Sequence, residues 1–169
     1  MSLAFDMARH AAPETEDSFE GEYLQALRLI ERLHRLLLDV IKDEFDRSGG
    51  SELNPVQALL LQNIGDSELT AGELRTRGYY LGSNVSYNLK KLVDMGYIHY
   101  NRSETDKRSV RVSLTSKGHD ACKVLRDLYE RQLGSLDSVG EVRRDDLSTL
   151  NRSLFRIERF WTDQIRYRL

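Results

Sequence analysis

Apolar residues recur along this chain in steps of three and four over several stretches, and once they alternate residue by residue. The pattern predicts helices with one short β-hairpin. From about Ser18 to Arg47, Leu27, Ile30, Leu37 and Ile41 share one helical face, with Leu29, Leu33, Leu36 and Val40 beside them. A stripe that wide is more than one neighbour covers, so one side of this helix is expected to meet a second subunit. Ser48-Gly49-Gly50-Ser51 ends it, and Asn54-Pro55 opens the next helix as an N-cap followed by proline at the first helical position. Val56, Leu59, Leu60 and Ile64 are its predicted apolar face. Thr70-Ala71-Gly72-Glu73 has capping-box spacing and starts a further helix from which Leu74 points inward.

The richest stretch follows, from Ser83 to Gly118. Ser83 is a suitable N-cap and Gly96 a suitable left-handed stop, so the spacing predicts a helix between them. Val85, Leu89, Leu92 and Val93 make its buried stripe, and the other face carries Asn84, Ser86, Tyr87, Asn88, Lys90 and Lys91. Such side chains hydrogen-bond base edges and phosphates, and a helix of about 18 Å is short enough to enter a major groove. Val110, Val112 and Leu114 then alternate with Ser109, Arg111 and Ser113, the period of a half-buried strand. This strand pairs back on Tyr97-Ile98-His99-Tyr100 across a polar, basic turn. Charged hairpin tips are often merely solvated, but this one directly follows a recognition-type helix. Together they are the two parts that a winged helix-turn-helix protein places on DNA.

Thr115 can cap another helix, with Ala121, Val124, Leu125 and Leu128 inward, and Gly134 to Gly140 reads as a break. From about Arg143 the final helix carries Leu147, Leu150, Leu154, Ile157 and Trp161 at alternating spacings of three and four. Packing this seam and the first helix against a twofold mate is the simplest way to bury both.

A net charge of -2 over 169 residues argues at first against a polyanion partner. The distribution reverses that. Residues 70–118 hold nine basic side chains (among them Arg75, Arg77 and Lys117) against four acidic ones, a net of +5, which leaves -7 for the remainder. Local phosphate neutralisation needs such asymmetry, and the acidic remainder would discourage nonspecific adsorption on DNA. No apolar run approaches the roughly 20 residues of a membrane span, and Met1-Ser2-Leu3-Ala4-Phe5-Asp6 lacks the basic start and long apolar segment of a signal peptide. A cytoplasmic location without membrane association is therefore expected, and the single cysteine, Cys122, agrees with a reducing compartment.

No phosphate-binding glycine motif is present, and Gly65-Asp66-Ser67 reads as an interhelical loop rather than a hydrolase serine motif. His10, His34, His99 and His119 are scattered, with no pair at metal-ligand spacing. Neither an enzyme, a metal site nor a cofactor is expected. Asp145-Asp146 are adjacent first-turn residues favoured by the helix dipole.

The pattern held by Ser83, Val85, Ser86, Leu89, Leu92, Gly96 and Ile98 resembles the recognition helix of MarR-type regulators. The wing pattern of the same family is matched by Asp106, Arg108, Val112, Leu114, Thr115 and Gly118. With the flanking helices the resemblance covers roughly Phe19 to Leu169, and it is also similar to an alphaproteobacterial branch linked to control of L,D-transpeptidase genes. Gly78-Tyr79-Tyr80-Leu81-Gly82 departs from the family by being more aromatic and glycine-rich. The resemblance implies that Arg108 enters the minor groove braced by an ion pair with Asp106. It also implies a small aromatic effector bound near the first helix, for which His34 is the candidate, and allows a peroxide-sensing role for Cys122. A buried inert thiol is the simpler reading of Cys122, because no cationic cluster is evident around it.

The expected fold class is therefore mainly α with a small β-hairpin wing, a winged helix-turn-helix domain joined to a helical dimerisation platform. Residues 1–17 are a mobile tail, 18–47 the first dimerisation helix, 48–118 the DNA-binding region and 119–169 the C-terminal dimerisation helices. The expected activity is sequence-specific binding of double-stranded DNA by a homodimer that regulates transcription. Asn84, Ser86, Tyr87 and Asn88 are the candidates for base contacts, and Lys90, Lys91, Arg102, Lys107 and Arg111 for the backbone. Leu147, Leu150, Leu154, Ile157 and Trp161 are the candidates for the dimer interface. The competing class is a winged-helix protein-interaction module with little affinity for DNA.

Overall fold

The computed structural model describes residues 18–49, 52–70, 72–74, 82–102 and 110–167, the side chains of 82–84, 102 and 110 excepted. The chain divides into two compact units, Met1–Val56 and Gln57–Leu169. The first is dominated by α1, Phe19–Arg47. Ser18 caps it, its hydroxyl accepting from the Gly21 amide at 3.0 Å. Its outer surface is laced by i,i+4 ion pairs such as Arg35 to Glu31 at 2.7 Å. Of its many apolar side chains only Ile41 and Phe45 are buried, while Leu33 and Leu36 stay 58% and 50% exposed. The excess of apolar surface anticipated for this helix is thus present.

Helix α2, Pro55–Ile64, starts at the proline as its N1 preference dictates. Its buried residues are Gln57, Ala58, Leu60, Leu61 and Ile64, so the inward face is the expected one only at Leu60 and Ile64, while Val56 and Leu59 are half-buried. A helix apolar nearly all round gives periodicity too little contrast to choose a face. A strand of two residues, β1 (Leu69–Thr70), follows. Thr70 is at once its last residue and the cap of a helical turn over 72–74. Its amide donates to Glu73 Oε2 at 2.7 Å, and its hydroxyl oxygen accepts from the Glu73 amide at 3.2 Å. This is the expected capping box, and Leu74 is fully buried as expected.

Helix α3 (Gly82–Asp94) leads into β2 (Ile98–Arg102) and β3 (Val110–Leu114). Ser83, expected as the cap, is the second residue of α3. The three strands form an antiparallel sheet in the order β1-β3-β2. Leu69 and Tyr100 both lie opposite Val112, and Ile98 lies opposite Leu114. Leu69, Ile98, Val112 and Leu114 are buried, so one face of the sheet closes the interior of the second unit.

Helix α4, Ser116–Leu136, is capped by Thr115 and buries Gly118, Ala121, Leu125 and Leu128. Of its expected inward positions only Val124 is half-buried rather than buried. The helix runs through Gly134 and turns at 137–140, the later part of the expected break. A single interior glycine costs about 1 kcal/mol relative to alanine, too little to stop an established helix. Helix α5 is Arg144–Tyr167 and buries no residue. Its start is fixed by Asp146, whose carboxylate accepts from the Arg143 amide at 2.9 Å, a more specific role than the dipole effect expected of it.

Candidate nucleic-acid interface

Burial divides α3 into two faces. Val85, Leu89 and Leu92 are buried, Val93 is half-buried, and Ser86, Tyr87, Lys90 and Lys91 are exposed. Tyr87 is 63% exposed, an aromatic ring without cover in the middle of a polar face. Asn88 is half-buried on the flank of the helix and already engaged by other groups. Asn84 lies in the first turn of α3, its side chain outside the described residues.

The C-terminus of α3 is closed by a Schellman arrangement. The Gly96 amide donates to the Val93 carbonyl and the Tyr97 amide to the Leu92 carbonyl, each at 2.9 Å, with Gly96 at φ +75°. Two further bonds tie this exit to the start of α4: the Thr115 amide donates to the Tyr97 carbonyl at 3.0 Å, and the Thr115 hydroxyl to the Gly96 carbonyl at 2.8 Å. Gly118 is required here by close approach, since a Cβ on it would sit 2.3 Å from the Tyr97 carbonyl oxygen. Recognition-type helix, hairpin and α4 are therefore fastened at one point.

On the hairpin, Arg102 ends β2 opposite Val110, its side chain outside the described residues. Asp106, Lys107 and Arg108, with the ion pair expected between the first and last, also lie outside them. Arg111 is exposed on β3, and its guanidinium lies 4.0 Å from the Glu68 carboxylate. Glu68 stands just before the basic segment counted from the sequence, and it offsets part of the charge that Arg111 would offer a phosphate. Lys117, counted in the same basic segment, is engaged with backbone rather than free: its ammonium donates to the Met95 carbonyl at 2.9 Å.

No residue of the seam expected on α5 is buried: Leu147 and Ile157 are half-buried, while Leu150, Leu154 and Trp161 are 49%, 36% and 37% exposed. His34 is exposed on α1. In the second unit a half-open cleft of about 280 Å³ lies between the end of α2 and α4, lined among others by Gln62, Asp66, His119, Cys122, Arg126 and Tyr129. His119 Nδ1 is 3.6 Å from Asp66 Oδ1, and the Tyr129 hydroxyl donates to Gln62 Oε1 at 3.5 Å. Burial pushes the Cys122 thiol above the ordinary range, Arg126 opposing and Asp66 adding to the shift. Cys122 is thus half-buried beside Arg126 and His119, in more polar surroundings than the buried inert thiol expected. Among the described residues no three His, Cys, Asp or Glu side chains are grouped to hold a metal ion, and no helix is long and apolar enough to cross a membrane.

Residues 53–118 match the model of a winged helix DNA-binding domain. The exopolysaccharide II synthesis transcriptional activator ExpG of Rhizobium meliloti is 40% identical over 148 residues, which are 86% of this chain and 74% of that protein. The chain belongs to the MarR family of winged helix-turn-helix regulators. Solved structures share the fold. Streptococcus pneumoniae FabT in complex with DNA superposes with a TM-score of 0.67 at 18% identity, over 83% of this chain and 98% of that one. An Escherichia coli MarR variant complexed with operator DNA also gives 0.67, at 20% identity, over 83% and 99%. AbsC of Streptomyces coelicolor gives 0.66 at 18%, over 87% and 97%. As a MarR-family chain the protein is a DNA-binding transcriptional regulator, and its family and relatives point away from an enzyme. The narrower likeness to the transpeptidase-linked branch rests on the sequence motifs alone.

Proposed function

We propose that this MarR-family protein acts as a homodimer that reads an inverted repeat in duplex DNA. The observation that carries the reading is the two-faced α3, anchored through Val85, Leu89 and Leu92 while Ser86, Tyr87, Lys90 and Lys91 stand uncovered. Asn84, Ser86, Tyr87 and Asn88 read base edges, Ser86 and Tyr87 being exposed and Asn88 half-buried. Lys90, Lys91, Arg102, Lys107 and Arg111 hold phosphates, Arg111 from a position 4.0 Å from the Glu68 carboxylate. Arg108, braced by Asp106, reaches the minor groove. The competing role as a protein-interaction module leaves the basic face of α3 and the basic hairpin without a purpose.

The dimer is favoured by α5, a helix of 24 residues with none buried. A seam of Leu147, Leu150, Leu154, Ile157 and Trp161 in water is unfavourable unless a second copy covers it, and the apolar excess on α1 asks for the same cover. Modulation by a small effector is supported by the cleft between α2 and α4, which combines an apolar floor at Leu114 with Arg126 and Tyr129. His34, exposed on α1, is the other candidate for contacting such an effector. The kinship with ExpG supports activation of genes for exopolysaccharide synthesis, and a regulator that acts on DNA would work in the cytoplasm. Selection of bound fragments from random duplex DNA tests the reading: enrichment of one inverted repeat is expected, and no enrichment over input overturns it.

A further inference from the structure

We infer that Lys117 is a positioning residue for DNA reading: from the first turn of α4 it fixes the exit of the recognition helix, and it does not contact phosphate. The inference rests on the proposed reading of DNA by α3. A helix ends with carbonyls that have no intrahelical partner, and in α3 the Schellman bonds satisfy those of Leu92 and Val93. The Met95 carbonyl is taken by the Lys117 ammonium at 2.9 Å, across 22 residues of sequence. The same ammonium lies 4.2 Å from the centroid of the Tyr97 ring. Tyr97 is buried, so one cation is held between a carbonyl at the end of α3 and a ring fixed in the core.

Charge favours the arrangement as well, since a cation at a helix C-terminus meets the negative end of the macrodipole. Thr115 and Gly118, on either side of Lys117, join the same stretch of backbone, so the Lys117 contact closes a three-point clamp. A shift of the α3 exit by a fraction of an ångström degrades the distances and angles of hydrogen bonds to base edges. Phosphate contacts tolerate such a shift better, because a flexible lysine meets phosphate as a weakly directional point charge. Lys90 and Lys91 make no ion pair among the described residues, which leaves them to neutralise phosphate while Lys117 is spent on geometry.

The test uses the full chain as Lys117→Met and Lys117→Arg, titrated across a salt series on the selected duplex and on a scrambled duplex of equal composition. Lys117→Met is expected to lose about tenfold on the selected duplex, with the scrambled affinity and the salt slope unchanged, while Lys117→Arg, which can still donate and stack, retains most of the preference. Amide exchange at Gly96 and Tyr97 in the free protein should quicken in the Met variant and not in the Arg variant. Equal loss on both duplexes with a salt slope smaller by about one unit would make Lys117 a phosphate contact and overturn the inference. Faster exchange with an unchanged ratio of affinities would reduce it to a structural residue and overturn it too. Should the Met variant fail to fold, Lys117→Gln takes its place under the same criteria. An unmodified chain that does not discriminate between the duplexes sinks the underlying DNA reading itself, an outcome visible before any variant is compared.

Discussion

The Thr115 hydroxyl donates to the Gly96 carbonyl at 2.8 Å while its oxygen accepts from the Gly118 amide at 3.2 Å. One side chain therefore ends the connection from the recognition helix and begins α4. Thr115→Ala removes an N-cap and a cross-chain bond together, and is expected to destabilise the fold by about 1–3 kcal/mol. Thr115→Ser should retain most of that. Urea denaturation of both variants measures it, and an alanine variant within a few tenths of a kcal/mol of the unmodified protein would show the bonds to be idle.

The α5 seam leads to a prediction about assembly. Replacing Leu150 and Leu154 with Glu places two charges where a second copy is proposed to bury apolar surface, so the dimer should dissociate. Because α5 buries none of its residues within its own unit, the winged-helix core should survive, with helical circular dichroism only partly reduced. Sedimentation at micromolar concentration gives the answer, a folded monomer for the unmodified protein being the contrary result.

Several features were readable because they rest on local chemistry. The capping box at Thr70 and Glu73, proline at the head of α2, the glycine stop at Gly96 and the alternation of Val110, Val112 and Leu114 each depend on neighbours in sequence. What escaped depends on partners far along the chain or on weak contrast. Strand β1 has two residues, too few for a period to show, and exists because Leu69 and Thr70 pair with Val112 and Arg111. The face of α2 was ambiguous because apolar side chains surround most of the helix and one of its polar residues, Gln57, is buried. The engagement of Lys117 by Met95 and of Arg111 by Glu68 could not be read from composition, which counts both simply as positive charge. The polar surroundings of Cys122 were partly legible, since His119 and Arg126 lie three and four residues away on the same helix.

Cys122 carries a prediction in pH. Desolvation favours the neutral thiol, so the folded protein should react with iodoacetamide more slowly than its urea-unfolded form near neutrality. The folded pKa is raised above the unfolded one. Its stabilising contribution is therefore complete below the ordinary thiol value and fades as pH climbs through the folded value. Alkylation rates measured from neutral to alkaline pH check this, and a folded thiol that reacts faster than the unfolded one at pH 7 would contradict it.

Wing and recognition helix should contribute separable terms. Arg108→Ala removes a cation from a groove whose pattern is degenerate, so affinity should fall on most duplexes and the salt slope shrink by about one unit. Asn88→Ala should leave the slope alone while relaxing preference at one base position by about 1–3 kcal/mol. Asn88 is half-buried, so an equal loss on specific and scrambled duplex would assign it to packing and leave Tyr87 as the principal described reader.

The central claim, a twofold dimer reading DNA through paired α3 helices, is tested most directly by footprinting the unmodified protein on its selected fragment. Two recognition helices on one face of the duplex require half-site centres about 10 base pairs apart. Protection of both halves of an inverted repeat at that spacing is the predicted result. Protection of a single half-site of about 5 base pairs would contradict the account.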